Sequence, residues 1–184
     1  DTNTTAADLA AYLEENGHHL TVVGLPKTID NDIVPIAQSM GALTAAEQTS
    51  RFAQNIISEH RSNPRMLIVH EIMGRHCGWL TAAAASRYRS WLGRQQWNPS
   101  IGLTRERWDI HAVFLPELAI DIKSEAVRLR GIMDEIGNVV GVGLPVDDEL
   151  AFADEFTHAR TDHVNPDDRP VLFAHELDET SRLE

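Results

Sequence analysis

The stretch Met66-Leu67-Ile68-Val69-His70-Glu71-Ile72-Met73-Gly74-Arg75-His76-Cys77-Gly78 decides the fold class. A short apolar run over residues 66–69 reads as a buried strand, the segment 74–78 as a glycine turn, and the alanines around Leu80, over residues 78–87, as a close-packed helix. The same strand-then-helix unit recurs on either side of this stretch. On the N-terminal side, residues 20–23 form a β-branched run, followed by a polar loop over residues 24–32. A helical stretch over about residues 38–60 comes next, with Met40, Leu43, Phe52, Ile56 and Ile57 on its apolar side. An earlier helix, capped by Asn3 or Thr4 and ended by Gly17, carries Ala6, Leu9, Tyr12 and Leu13.

On the C-terminal side, residues 111–115 read as a strand. Ser124 caps a helix with the stripe Ala126, Leu129, Ile132, Met133 and Ile136, closed by Gly137. Residues 139–142 read as a last, weaker strand. Residues 91–108 carry three tryptophans without a clear period and read as a surface excursion. Four strand-helix repeats predict an α/β fold: a parallel sheet flanked by helices in a Rossmann-like three-layer arrangement. Ligands in such sheets bind outside the carboxyl ends of the strands, which places residues 24–32 and 72–78 on the functional edge.

The bulk numbers narrow the function classes. With 184 residues, the chain can bury a substantial core. Sixteen Lys+Arg against 28 Asp+Glu give a net charge of -12. That argues against nucleic acid as a partner, because phosphate backbones demand a basic face. A small phosphorylated ligand needs only two or three placed cations. No apolar run approaches the roughly 18 residues of a membrane helix, so no membrane partner is expected. The single cysteine, Cys77, cannot form an intramolecular disulfide or a cysteine-based zinc cage, and points to a reduced, intracellular setting. The opening at Asp1 and the close at Arg182-Leu183-Glu184 read as those of an internal, partial chain.

Two loops carry the chemistry. Pro26-Lys27-Thr28-Ile29-Asp30-Asn31-Asp32 sets two carboxylates beside a hydroxyl and an ammonium, a set that suits phosphoryl transfer to an alcohol. Read from composition alone, a polar turn is the better description. Met73-Gly74-Arg75-His76-Cys77-Gly78 offers backbone N–H groups and a guanidinium for a phosphate, and a glycine turn with a solvated arginine fits the spacing equally well. His70 and His76 are six apart across a glycine turn, which does not suit a helical zinc pair. Cys77 reads as a packing residue, and His158 and His163 as solvated.

Taken together, in this order and about 40 residues apart, the two runs resemble the phosphofructokinase family. The first is similar to its catalytic signature and the second to its fructose-phosphate-binding signature. Asp1-Thr2-Asn3-Thr4 is similar to the continuation of its Gly-Gly-Asp donor loop. The resemblance covers residues 1–146, as an α/β core with parts of the donor-binding and sugar-phosphate-binding lobes, and is weaker over residues 147–184.

The resemblance implies phosphoryl transfer from pyrophosphate to the 1-hydroxyl of fructose 6-phosphate, reversibly, in glycolysis. It further implies a Mg2+-dependent, allosteric-independent, cytoplasmic homo-oligomer, dimer or tetramer. By the family's pattern, Asp30 is the base. Thr28, Ile29 and Asp32 seat the substrate and hold the loop, and Met73, Gly74 and Arg75 bind the sugar phosphate. Lys27 and Asp1 stand where ATP-using relatives carry glycine, which points to pyrophosphate: an aspartate there opposes the α-phosphate of ATP by like-charge repulsion. The metal-binding aspartate is expected just before residue 1, so no metal ligand is expected within the chain. Val142 stands about where a sugar-binding glutamate is expected, unless that stretch is shifted in register, and Arg65 lies one position early for the family's interfacial arginine. An ATP-dependent enzyme and a non-catalytic subunit that kept the fold are the alternatives.

Overall fold

The computed structural model describes residues 2–25, 27–62 and 65–143, and the backbone of Val171–Phe173. Its elements are α1 (Thr2–Glu15), β1 (Lys27–Thr28), β2 (Met40–Gly41), α2 (Ala42–His60), β3 (Leu67–His70), α3 (Trp79–Leu92), β4 (Ala112–Val113), α4 (Ile122–Ile136), β5 (Val139–Val142) and β6 (Val171–Phe173). Strands β4-β5-β3-β6 form one four-stranded sheet in that order, and every pair in it is parallel. β1 and β2 make a separate two-stranded parallel pair.

Side chains alternate across the strands, so the sheet has two apolar faces. Leu67, Val69, Ala112, Phe114 and Val139 pack with Ala126, Leu129 and Met133 of α4 on one side. Val140, Val142 and Ile110 pack with Ala53 and Ile57 of α2 and with Ala85, Tyr88 and Leu92 of α3 on the other. This is the three-layer arrangement expected from the alternating pattern, and both helix-bearing faces are closed by it.

Four expectations are corrected. Residues 20–23 are not a strand: Leu20 is 58% and Val23 74% exposed, and no strand among the described residues pairs with them. A β-branched run becomes a strand only where a neighbour supplies the ladder. The buried stripe of α2 is Ala42, Ala46, Ser50, Ala53, Ile57 and His60, whereas Met40, Leu43 and Phe52 are exposed. Small residues face α3 because they let the two helices approach closely. α4 is capped by Asp121, whose carboxylate accepts from the Ser124 amide at 3.3 Å and from its hydroxyl at 2.6 Å. Residues 91–108 are more than an excursion: Trp97 and Trp108, with ring centroids 6.2 Å apart, pack against the α2–α3 side of the core together with Trp91.

α1 forms as expected but buries none of its residues. His158, His163 and most of residues 147–184 lie outside the described residues.

Candidate functional site

α2 leads into β3 and α3 leads out of it, so both helices run opposite to the parallel strands. They therefore start at the same, carboxyl edge of the sheet. They lie side by side, and Arg87 Nε of α3 stands 3.8 Å from Glu47 of α2. The segment before each helix is thus delivered to one edge. Those segments are residues 27–41, which hold Lys27 to Asp32, and residues 71–78, which hold Met73 to Arg75.

The first segment is closed by Ser39. This residue is 1% exposed, its hydroxyl donates to the Thr28 carbonyl at 2.6 Å, and its amide donates to Asn31 Oδ1 at 2.7 Å. Asn31 sits in the left-handed region at φ 59°, a conformation asparagine tolerates better than most residues. Thr28 Oγ1 accepts from the Asp30 amide at 3.2 Å. Gly41 at φ 94° takes the chain into α2 with Ile29 against it.

The bonded turn leaves Asp30 half-buried, and its Oδ1 has no hydrogen-bond partner among the described residues. Burial, and then the neighbouring Asp32 carboxylate, hold the Asp30 pKa above the ordinary aspartate value. A desolvated carboxylate with a raised pKa and a free oxygen has the character of a proton acceptor. Lys27 and Asp32 are exposed on the same loop.

The second segment leaves β3 at His70, whose carbonyl accepts from the Gly143 amide at 2.9 Å. Gly74 has φ +124°, and a Cβ there would stand 2.3 Å from the Cys77 carbonyl, so the turn requires glycine. Met73 and Arg75 are exposed, and Arg75 makes no ion pair among the described residues. One expectation changes here. The Gly78 N–H at the start of α3 is not free for an anion, because Glu117 Oε1 accepts from it at 2.8 Å. Sequence reasoning missed Glu117, since a cap supplied from 39 residues away leaves no local pattern.

Asp1 lies outside the described residues. Val142 closes β5 opposite His70, 1% exposed within the apolar cluster facing α2 and α3. In this register the side chain at 142 points into the core, and the expected carboxylate contact is absent from that position. Arg65 lies at the opposite, amino end of β3, with NH2 2.8 Å from Asp134. Among the described residues no three His, Cys, Asp or Glu side chains gather as a metal cage. No helix among them is long and apolar enough to cross a membrane.

Residues 3–89 match the family described as Phosphofructokinase. A pyrophosphate–fructose 6-phosphate 1-phosphotransferase of Propionibacterium freudenreichii subsp. shermanii is 55% identical over 178 residues, covering 90% of this chain and 44% of that protein. A protein of the same name from Mastigamoeba balamuthi is 53% identical, over 90% of this chain and 43% of its own length. The chain therefore spans less than half the length of these relatives. In fold, it is similar to the crystal structure of a pyrophosphate-dependent phosphofructokinase from Marinobacter aquaeolei, with a TM-score of 0.57 over 92% of this chain and 40% of that one, at 22% identity.

Proposed function

Residues 3–89 match the phosphofructokinase family, and from that premise we propose that this chain belongs to it and that its full-length protein transfers a phosphoryl group from pyrophosphate to the 1-hydroxyl of fructose 6-phosphate. The observation that carries the reading is Asp30: a half-buried carboxylate with one unpartnered oxygen, on a loop at the carboxyl edge of the sheet. Asp30 takes the proton of the sugar's 1-hydroxyl as that oxygen attacks the terminal phosphorus. The bridging P–O bond breaks, inorganic phosphate leaves, and fructose 1,6-bisphosphate forms. Pyrophosphate is not a strongly driving donor, so the reaction runs both ways.

Thr28, Ile29 and Asp32 shape the loop that seats the reacting groups. Met73, Gly74 and Arg75 receive the sugar phosphate, with the Arg75 guanidinium as its counter-charge. Lys27 offsets charge on the phosphoryl oxygens as it develops. Lysine at this position, and the names of the relatives above, support pyrophosphate over ATP. Asp1 serves the same discrimination by opposing a nucleotide's α-phosphate. Mg2+ belongs to the proposal as the ion that neutralises the donor. Its protein ligand in this proposal is the aspartate that the resemblance places just before residue 1. The catalytic unit is a cytoplasmic homo-oligomer whose core is residues 1–146, with 147–184 as a separate, weaker-matching segment.

Turnover of the full-length protein with pyrophosphate and with ATP tests the reading. Pyrophosphate turnover is expected, and turnover with ATP alone overturns the donor. Val142 in the apolar core favours a second reading, a non-catalytic subunit, for which neither donor supports turnover.

A further inference from the structure

The turn that presents Met73, Gly74 and Arg75 is anchored at both ends by other parts of the sheet. At its start, β3 is tied to the end of β5 by the Gly143 amide donating to the His70 carbonyl at 2.9 Å. At its end, Gly78 begins α3 without a side chain of its own to cap the helix. The cap comes instead from Glu117, just after β4, whose Oε1 accepts from the Gly78 amide at 2.8 Å.

Three features make this contact specific. Gly78 is buried, and a Cβ on it would lie 2.7 Å from Glu117 Oε2 and 2.8 Å from Leu115 Cδ2, so any side chain there would push the ends of Glu117 and Leu115 aside. Glu117 sits on a tight turn, with the Leu118 amide donating to the Leu115 carbonyl at 3.0 Å. That turn follows Phe114, whose amide donates to the Val142 carbonyl at 2.8 Å, so Glu117 is carried by the sheet. A carboxylate at the first turn of a helix also complements the positive end of its dipole.

We propose that Glu117 is a positioning residue for substrate binding: it fixes Gly78, and through Gly78 the turn that holds Arg75. The inference rests on the assignment of that turn to the sugar phosphate. Glu117 touches neither substrate nor reacting atoms. By occupying the Gly78 N–H it keeps the incoming phosphate off the helix end and leaves the anion to Arg75. The Cys77 amide donates to the Gly74 carbonyl at 3.3 Å, and a Cβ on Gly74 would stand 2.3 Å from the Cys77 carbonyl, so a shift of Gly78 is transmitted to Gly74 and Arg75.

The test uses the full-length protein with Glu117→Gln, Glu117→Asp and Glu117→Ala, read by calorimetric titration with fructose 6-phosphate and by steady-state kinetics with pyrophosphate. Glutamine keeps an acceptor for the Gly78 amide, whereas aspartate keeps the charge on a shorter arm. Glu117→Ala and Glu117→Asp are expected to weaken sugar-phosphate affinity roughly tenfold with kcat within about threefold, and Glu117→Gln to stay near wild type. Should the alanine variant fail to fold, the ordering of glutamine above aspartate carries the test. Unchanged or tighter binding in Glu117→Asp, while the wild type binds, overturns the role of Glu117 alone. A wild-type protein with no affinity for fructose 6-phosphate overturns the substrate assignment and this inference with it.

Discussion

The Ser39 hydroxyl donates to the Thr28 carbonyl at 2.6 Å, across eleven residues of chain, and so closes the loop that carries Asp30. The same residue's amide holds Asn31 Oδ1 at 2.7 Å. Two bonds from one buried serine thus hold the turn on either side of the candidate base. The β1–β2 pairing of Lys27 with Met40 and of Thr28 with Gly41 continues this closure into α2.

Ser39→Ala removes the hydroxyl and leaves the Thr28 carbonyl without that partner. The expected cost in stability is about 1–2 kcal/mol, measured by urea unfolding. Turnover of the full-length protein should fall by more than that loss alone explains, because Asp30 loses its fixed position.

Asp32→Asn tests the electrostatics of the base. Burial is the larger cause of the raised Asp30 pKa and the Asp32 charge the smaller, so neutralising Asp32 should lower it part of the way. A base works only when ionised, and the rate falls as pH drops through its pKa. The acid limb of the kcat profile should therefore move to lower pH in Asp32→Asn.

Lys27→Gly and Arg75→Gln separate donor from acceptor. Lys27→Gly should lower kcat with pyrophosphate and leave the KM for fructose 6-phosphate within about threefold. Arg75→Gln should raise the fructose 6-phosphate KM by ten- to a hundredfold or so, the scale of one charge-assisted pair. Steady-state kinetics with each substrate varied in turn distinguishes the two.

His60 predicts a pH dependence of stability. It is 1% exposed, neither ring nitrogen has a partner among the described residues, and its pKa is lowered to about 4 by burial, then by Arg61 and His111. The unfolded chain titrates this group near pH 6.5, so between those values the unfolded state binds the extra proton. Stability should therefore be full above about pH 6.5 and decline toward pH 4, by roughly 3 kcal/mol from this residue. His60→Phe should flatten that part of the curve in urea unfolding measured across the window.

Much of this was legible in the sequence where one residue pattern decides one element. The Ala126, Leu129 and Met133 stripe and the closing Gly137 give α4, and the valines give β5 with the bounds read from them. The turn at Gly74 was legible because its left-handed backbone leaves few alternatives to glycine. The alanine face of α2 was not, because alanine is equally at home on either side of a helix. Residues 20–23 have strand propensity, but propensity cannot supply a neighbour. β6 was passed over because three residues after a long acidic stretch carry little pattern. Glu117 was invisible because its partner is set by the sheet and not by spacing. The loop carrying Asp30 was recognised, but the Ser39 closure that leaves one carboxylate oxygen free is a tertiary fact.

Asp30→Asn in the full-length protein removes the proposed base alone, with kcat and fructose 6-phosphate affinity measured on one preparation. In this variant kcat is expected to fall by about a hundred- to ten-thousandfold while the dissociation constant stays within about threefold. A kcat near wild type, or equal losses in turnover and affinity, would contradict Asp30 as the group that takes the proton.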